Sequence, residues 1–190
     1  MSGFVVQPLP LAGLAVLVRS RATDSRGSFA RLWCSETLAG LGFDNGPVQV
    51  NHSVTSRCGT VRGMHYQTPP HAETKLVTCI RGEIYDVAVD VRPDSPTYLH
   101  WHAEVLSADN GRSLLIPEGF AHGFQTLADG CEIIYCHSKP YVPVAEAALR
   151  FDDPALSIPW PLPVTIVSDR DRSHPLLAAA SASPPQAIGR

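Results

Sequence analysis

Between Ile84 and Val91 the chain alternates with a period of two, placing Tyr85, Val87, Val89 and Val91 on one face. That pattern predicts a strand. Similar short runs occur at 14–18, 47–54, 75–80, 101–106, 112–116, 131–137 and 164–167, and Gly, Pro, Asn or Asp stands between most of them. Many short strands at this spacing predict an all-β sandwich or barrel. Arg81-Gly82, between two of the runs, predicts a tight hairpin. Seventeen prolines argue against long helices, since each fixes φ and removes a backbone donor. The helical candidates are Ser35 to Leu41, with Ser35 as N-cap, and a turn near 107–111.

Composition narrows this picture. With 190 residues, 44% of them apolar and 17% charged, the chain suits one domain with a full hydrophobic core. That domain is expected over 1–176. The segment 177–190 is small-residue and low in complexity, and is expected to be a loosely ordered tail. A net charge of −3, with basic residues scattered, gives no electrostatic footprint for nucleic acid. Five cysteines without CxxC spacing, several of them in apolar runs, read as reduced core residues. The apolar stretch Phe4 to Val18 is interrupted by Pro8 and Pro10 and has no preceding positive charge, so it resembles neither a signal peptide nor a membrane span. No membrane association and a cytoplasmic location are the expectations.

The candidate chemistry lies in RGMHYQ at 62–67 and PEGFAHGF at 117–124, each setting one histidine, His65 or His122, among glycines and aromatics. Histidine is the side chain whose charge is set near neutrality by modest burial or one carboxylate, which suits proton transfer. Taken singly, a histidine beside a glycine is more often a turn or core residue with a satisfied hydrogen bond. Arg62, Lys75 and Tyr135 lie in or beside apolar strand-like runs, where a cation or phenol needs a reason. Each also has an ordinary reading: Lys75 can snorkel to solvent, Tyr135 can be an amphipathic core residue, and Arg62 and Arg26 can be surface charges. Guanidinium groups equally grip diphosphates in bidentate fashion.

Read together, several blocks in order carry a resemblance: DSRGSF at 24–29, QVNHSVTS at 49–56, RGMHYQ, TKLV at 74–77, DVAVDVRPDSPTY at 86–98, PEGFAHGF, EIIYC at 132–136, DDPALSIPW at 152–160 and SDRD at 168–171. From about Asp24 to Asp171 the chain resembles the dTDP-4-dehydrorhamnose 3,5-epimerases, nucleotide-sugar epimerases of the cupin class. The resemblance implies a double-stranded β-helix or jelly roll with a few short helices. It further implies a homodimer without metal or organic cofactor, and a barrel interior that holds a nucleoside-diphospho-4-keto-6-deoxyhexose. By position His65 is the implied base at C3 or C5, Asp171 holds its imidazole, Tyr135 returns a proton from the opposite face, and Lys75 stabilises the oxygen that becomes negative. Arg26, Phe29, Arg31, Gln49, Asn51, Arg62, His122, Tyr141, Glu146 and Arg170 fall at ligand-contacting positions.

These residue types supply what inversion next to a ketone requires: a base, an acid and support for an enolate. The motifs do not separate a 3,5-epimerase from a relative that inverts only C3 or only C5. Two readings come from different classes, a sugar-binding cupin without activity and a metal-dependent cupin enzyme. For the last, His65-Tyr66-Gln67 lacks the second histidine of an HxH pair, while His100-Trp101-His102 has that spacing in a strand-like run. One departure concerns the base: Arg31 stands where the family typically carries a glutamate. A carboxylate accepts the N3–H of thymine and a guanidinium only donates, which makes a CDP-linked sugar the alternative substrate to the dTDP form.

Overall fold

The computed structural model describes residues 3–177; the tail expected over 177–190 lies outside them except for Leu177. Thirteen strands and two short helices follow one another among these residues. β1 (Phe4–Pro8), β2 (Ala15–Arg19), β5 (Gln49–Thr55), β7 (Lys75–Arg81), β10 (Arg112–Ile116) and β12 (Cys131–His137) form one sheet in the order β1-β2-β10-β7-β12-β5. β6 (Val61–Gln67), β8 (Glu83–Asp90), β9 (Trp101–Ser107), β11 (Phe120–Thr126) and β13 (Glu146–Ala148) form a second, ordered β13-β6-β11-β8-β9. β3 (Arg21–Asp24) and β4 (Gly27–Ala30) make a separate, exposed hairpin. The two large antiparallel sheets face each other in the jelly-roll manner expected of a cupin barrel.

The alternation foreseen in the sequence explains the packing. On β7 Val77 and Cys79 point between the sheets, as do Ile84 and Ala88 of β8, Leu114 and Ile116 of β10, Phe120 and Phe124 of β11, and Cys131 and Ile133 of β12. Most of their neighbours face outward yet are covered in turn. Leu17, Leu76 and Leu115 are covered by Phe4, Leu38 and Phe43, and Met64, Val87, Val89 and Trp101 by Leu149, Leu156 and Ile158. Each fully buried leucine, isoleucine or phenylalanine contributes about 1.5–3 kcal/mol, which offsets the cost of the charged groups the barrel also encloses.

Four local expectations need correction. Arg81-Gly82 is a tight turn with Gly82 at φ 75°, but it joins strands of different sheets and so makes no hairpin. A side chain at Gly82 would strike Cys131, so the crossing is possible only there without one. The helix α1 spans only Ser35–Leu38, and its N-cap position is Cys34. The Ser35 hydroxyl accepts from Trp33 Nε1 at 3.0 Å, and Gly40 and Gly42, both at positive φ, end the turn. The run at 164–167 gives a single parallel bridge between Ile166 and Thr60, flanked by the donorless Pro163. RGMHYQ and PEGFAHGF, which lie outside the runs predicted as strands, are themselves largely strand, β6 and β11, with His65 and His122 as direct partners. The turn near 107–111 is present, closed by Asn110 N–H on the Ser107 hydroxyl. Cys79, Cys131 and Cys136 are buried and all five cysteines are free, Cys34 and Cys58 being only part-buried. No described helix is long and apolar enough to cross a membrane.

Candidate active site

Toward one end of the barrel the inward positions turn polar. Lys75 lies on the same face of β7 as Val77, and Tyr135 and His137 on the same face of β12 as Ile133. They meet His65 and Gln67 of β6 and His122 of β11 across a cavity of about 550 Å³. Asn51 and Ser53 of β5, Arg62, Tyr141 and Glu146 complete the wall, with Arg170 and Asp171 from the second helix, α2 (Asp169–Ser173). The glycines beside the histidines serve close approach. A Cβ on Gly63 would lie 2.4 Å from the Gly123 Cα, where the β6–β11 register shifts between His122 and Phe124.

Asp171 reaches the site because α2 is capped: the Ser168 hydroxyl accepts from the Asp171 N–H. Its Oδ1 lies 2.8 Å from His65 Nε2, and its Oδ2 accepts the Gly63 N–H at 3.2 Å. Burial opposes ionisation of Asp171, but the hydrogen bonds from His65 and Gly63 and the charge of His65 outweigh it and hold the carboxyl below its usual range. With Nε2 engaged, Nδ1 is the ring nitrogen left for a ligand. His65 is one-third exposed while Asp171 is nearly closed off.

A second pair sits deeper. His122 Nε2 is 2.7 Å from Asp86 Oδ1, and both side chains are buried. Burial raises the Asp86 carboxyl, against the pull of His122 and Lys75. Lys75 is itself enclosed, 3.3 Å from Glu73 Oε1 and donating to the His65 carbonyl at 3.2 Å. Burial lowers its ammonium from the ordinary lysine value, with Glu73 opposing. Burial opposes the Glu73 charge as well, yet His137 and Lys75 outweigh it and the carboxyl sits below the glutamate range. The Tyr135 ring packs edge-on to His122 and stacks on His137, and burial pushes its phenol well above the ordinary value.

The chain that carries this constellation has known relatives. A family model described as dTDP-4-dehydrorhamnose 3,5-epimerase matches residues 8–179. The chain belongs to that family. It is 42% identical over 172 residues to the dTDP-4-dehydrorhamnose 3,5-epimerase of Sinorhizobium fredii, covering 90% of this chain and 88% of that one. A crystal structure of the enzyme from Bacillus anthracis, with TDP and PPi bound, superposes with a TM-score of 0.87 at 40% identity, covering 92% of this chain and 99% of that one. A 3′-monoepimerase from Streptomyces bikiniensis, in complex with dTDP-quinovose, gives 0.85 at 33% identity over 90% and 87%. Membership makes the chain an isomerase with the cupin-type fold of these epimerases.

Not every residue singled out in the sequence reaches the cavity of its own chain. His65, Lys75, Tyr135, Asp171, Asn51, Arg62, His122, Tyr141, Glu146 and Arg170 line it. Arg62 is partly committed, donating to Thr55 Oγ1 and the Val54 carbonyl. Tyr141 donates to Glu146 at 2.5 Å, and Glu146 also pairs with Arg170. Gln49 stands behind Asn51, donating to its Oδ1. Arg26, paired with Asp24, and Phe29, 74% exposed, lie on the β3–β4 hairpin, and Arg31 follows it on the surface. His102 lies 3.5 Å from Glu104 on β9, and among the described residues no three His, Cys, Asp or Glu converge as a metal site.

Asp86, Glu73, Gln67 and His137 are site residues that sequence reasoning passed over. A period-two signal was present. Asp86 faces opposite to Val87, and Glu73 and His137 each stand two positions from a residue already chosen, Lys75 and Tyr135.

Proposed function

We propose that this epimerase inverts carbons flanking the ketone of a nucleoside-diphospho-4-keto-6-deoxyhexose, taking dTDP-4-dehydro-6-deoxyglucose to dTDP-4-dehydrorhamnose. The observation that carries the reading is the pairing of His65 with Asp171 on one sheet's side of the cavity, opposite Tyr135 and Lys75 from the other sheet. His65 Nδ1 takes the proton from C3 or C5, and the electron pair moves into the C4 carbonyl to give an enolate. Asp171 supports the imidazolium so formed. Lys75 faces the enolate oxygen, where a desolvated ammonium is most effective. Tyr135, kept protonated by its burial, delivers a proton to the opposite face of the carbon. No metal or organic cofactor takes part in these steps. Arg62 and Arg170 supply cations at the cavity wall for the diphosphate.

The β3–β4 hairpin and the outer face of β5 support a homodimer. Val50 and Val54 on β5, and Val48 just before it, are each more than half exposed, which makes an apolar surface suited to a second copy. In that assembly Arg26, Phe29 and Arg31 complete the partner's cavity instead of their own. Light scattering should return twice the chain mass, and Val50→Glu should halve it and reduce turnover.

Proton NMR of dTDP-4-keto-6-deoxyglucose with the protein in D2O tests the reaction. Solvent deuterium should enter C3 and C5, and His65→Ala should abolish both. Exchange at C3 alone would establish the second reading, a mono-epimerase, which the structural likeness to the 3′-monoepimerase supports. Absence of exchange with the dTDP sugar, together with exchange in a CDP sugar that Arg31→Glu reverses, would move the assignment of the base.

A further inference from the structure

Two consecutive backbone N–H groups anchor hydrogen-bond chains that converge on one carboxylate. The Tyr141 N–H donates to Gln49 Oε1 at 3.0 Å, so Gln49 must donate through Nε2, which it does to Asn51 Oδ1 at 3.1 Å. Asn51 is thereby left with its amide Nδ2 toward His137 Nε2, at 3.3 Å. An amide NH2 can only donate, so His137 Nε2 accepts and the neutral ring carries its proton on Nδ1. From there it donates to Glu73 Oε2 at 3.2 Å. The Val142 N–H runs a parallel chain: it donates to Gln67 Oε1 at 2.6 Å, and Gln67 Nε2 donates to the same Glu73 Oε2 at 3.0 Å. Glu73 Oε1 is left facing the Lys75 ammonium at 3.3 Å.

A backbone N–H has no freedom to reverse, so the polarity of both chains is set from outside the site. The carboxylate where they meet is buried, with side-chain exposure of 7% against 8% for Lys75 and 13% for His137. A buried, fully bonded carboxylate holds its geometry, whereas one lacking these donors would be free to turn away from the lysine. The same imidazole stacks on the Tyr135 ring at 6.2 Å between centroids.

We infer that Glu73 and His137 are positioning residues for the epimerisation: Glu73 fixes the Lys75 ammonium at the enolate oxygen, and His137, locked as the Nδ1–H tautomer, fixes Glu73 and braces Tyr135. The inference rests on the roles given above to Lys75 and Tyr135. Neither residue needs to touch the substrate. Both act through groups that do, as outer-shell partners of a ligating group commonly act.

The test has two independent arms on the full chain. Long-range proton–nitrogen correlation of the imidazoles, without substrate, should show His137 protonated at Nδ1 at neutral pH. An Nε2–H tautomer would overturn the inference whether or not the chain is an epimerase. The kinetic arm measures deuterium entry into the dTDP-4-keto sugar. His137→Leu and Glu73→Ala should each lower kcat about tenfold or more, the scale of a lost hydrogen bond to a charged group, while dTDP affinity stays within about twofold. His137→Asn puts an amide donor where Nδ1–H was and should restore kcat to within about threefold. Full activity in both His137→Leu and Glu73→Ala would overturn the positioning role. A wild-type chain with the Nδ1–H tautomer but no exchange would count against the proposed reaction and leave the hydrogen-bond chains standing.

Discussion

Two His–Asp pairs of nearly equal length face the same barrel interior, and they sit in opposite electrostatic settings. His65–Asp171 spans 2.8 Å and His122–Asp86 2.7 Å. The difference lies in what the second carboxylate oxygen meets. Asp171 Oδ2 takes the Gly63 N–H, and its pair opens onto the cavity. Asp86 Oδ2 is buried and has no hydrogen-bond partner among the described residues. Extra donors favour the ionised form and burial without them disfavours it, so the first carboxyl is depressed and the second raised. A histidine–aspartate distance alone therefore says little about function. Exposure of the ring and the bonding of the far oxygen separate the open pair from the enclosed one.

The largest effect should follow from breaking the open pair. His65→Ala should lower turnover about 10³-fold or more, within the range for removing a positioned general base, while dTDP affinity changes little. His122→Ala should cost far less activity, and a larger loss there than at His65 would reverse the assignment of the base. Asp171 offers a sharper version. In Asp171→Asn the Gly63 N–H draws the amide oxygen, which points the NH2 at His65 Nε2 and forces the ring proton onto Nδ1. That nitrogen then cannot accept a proton. Asp171→Asn should lose about 10²-fold or more and fall below Asp171→Ala, whose histidine is free to choose its tautomer. Steady-state rates that rank the alanine variant lower would sink this account of the tautomer.

How legible this was in the sequence depended on the scale of each feature. Alternation marked β8 as a strand and short apolar runs marked β7 and β12, whereas β11, buried along its whole length, carries no alternation and was not among the predicted runs. Lys75 and Tyr135 stood out as polar groups within apolar runs, and His65 by its glycine and aromatic neighbours. Asp86 stood in such a run too, but a carboxylate announces nothing until its hydrogen-bond partner on the next strand is known to be His122, thirty-six residues away. Sheet membership was likewise invisible. Gly82 reads as a hairpin glycine, and only the crossing of β7 and β8 into different sheets shows otherwise. The β3–β4 hairpin, α2 and β13 are too short for a period to register; α2 is set by its Ser168 cap and β13 by its pairing with β6.

Stability should show the same contrast in smaller amounts. Asp86→Ala leaves His122 buried without its acceptor and should cost about 1–3 kcal/mol in urea unfolding at neutral pH. Asp86→Asn keeps an acceptor for His122 and should cost less, and its pH dependence gives the decisive sign. Because the folded Asp86 carboxyl is raised, the stability it contributes is complete below the unfolded carboxylate value, near pH 4, and is lost as pH rises through the folded value. Removing the ionisation should therefore make Asp86→Asn gain on the wild type as pH rises above about 4. Asp171 is depressed, so its contribution is complete above the unfolded value and lost as pH falls. Asp171→Asn should accordingly lose ground to the wild type as pH rises toward about 4 and run parallel to it above that. An Asp86→Asn curve that stays parallel to the wild type above about pH 4, or an Asp171→Asn curve that stays parallel below it, would mean that the far oxygens do not set the two carboxyls apart, and the distinction between the pairs would have to come from exposure alone.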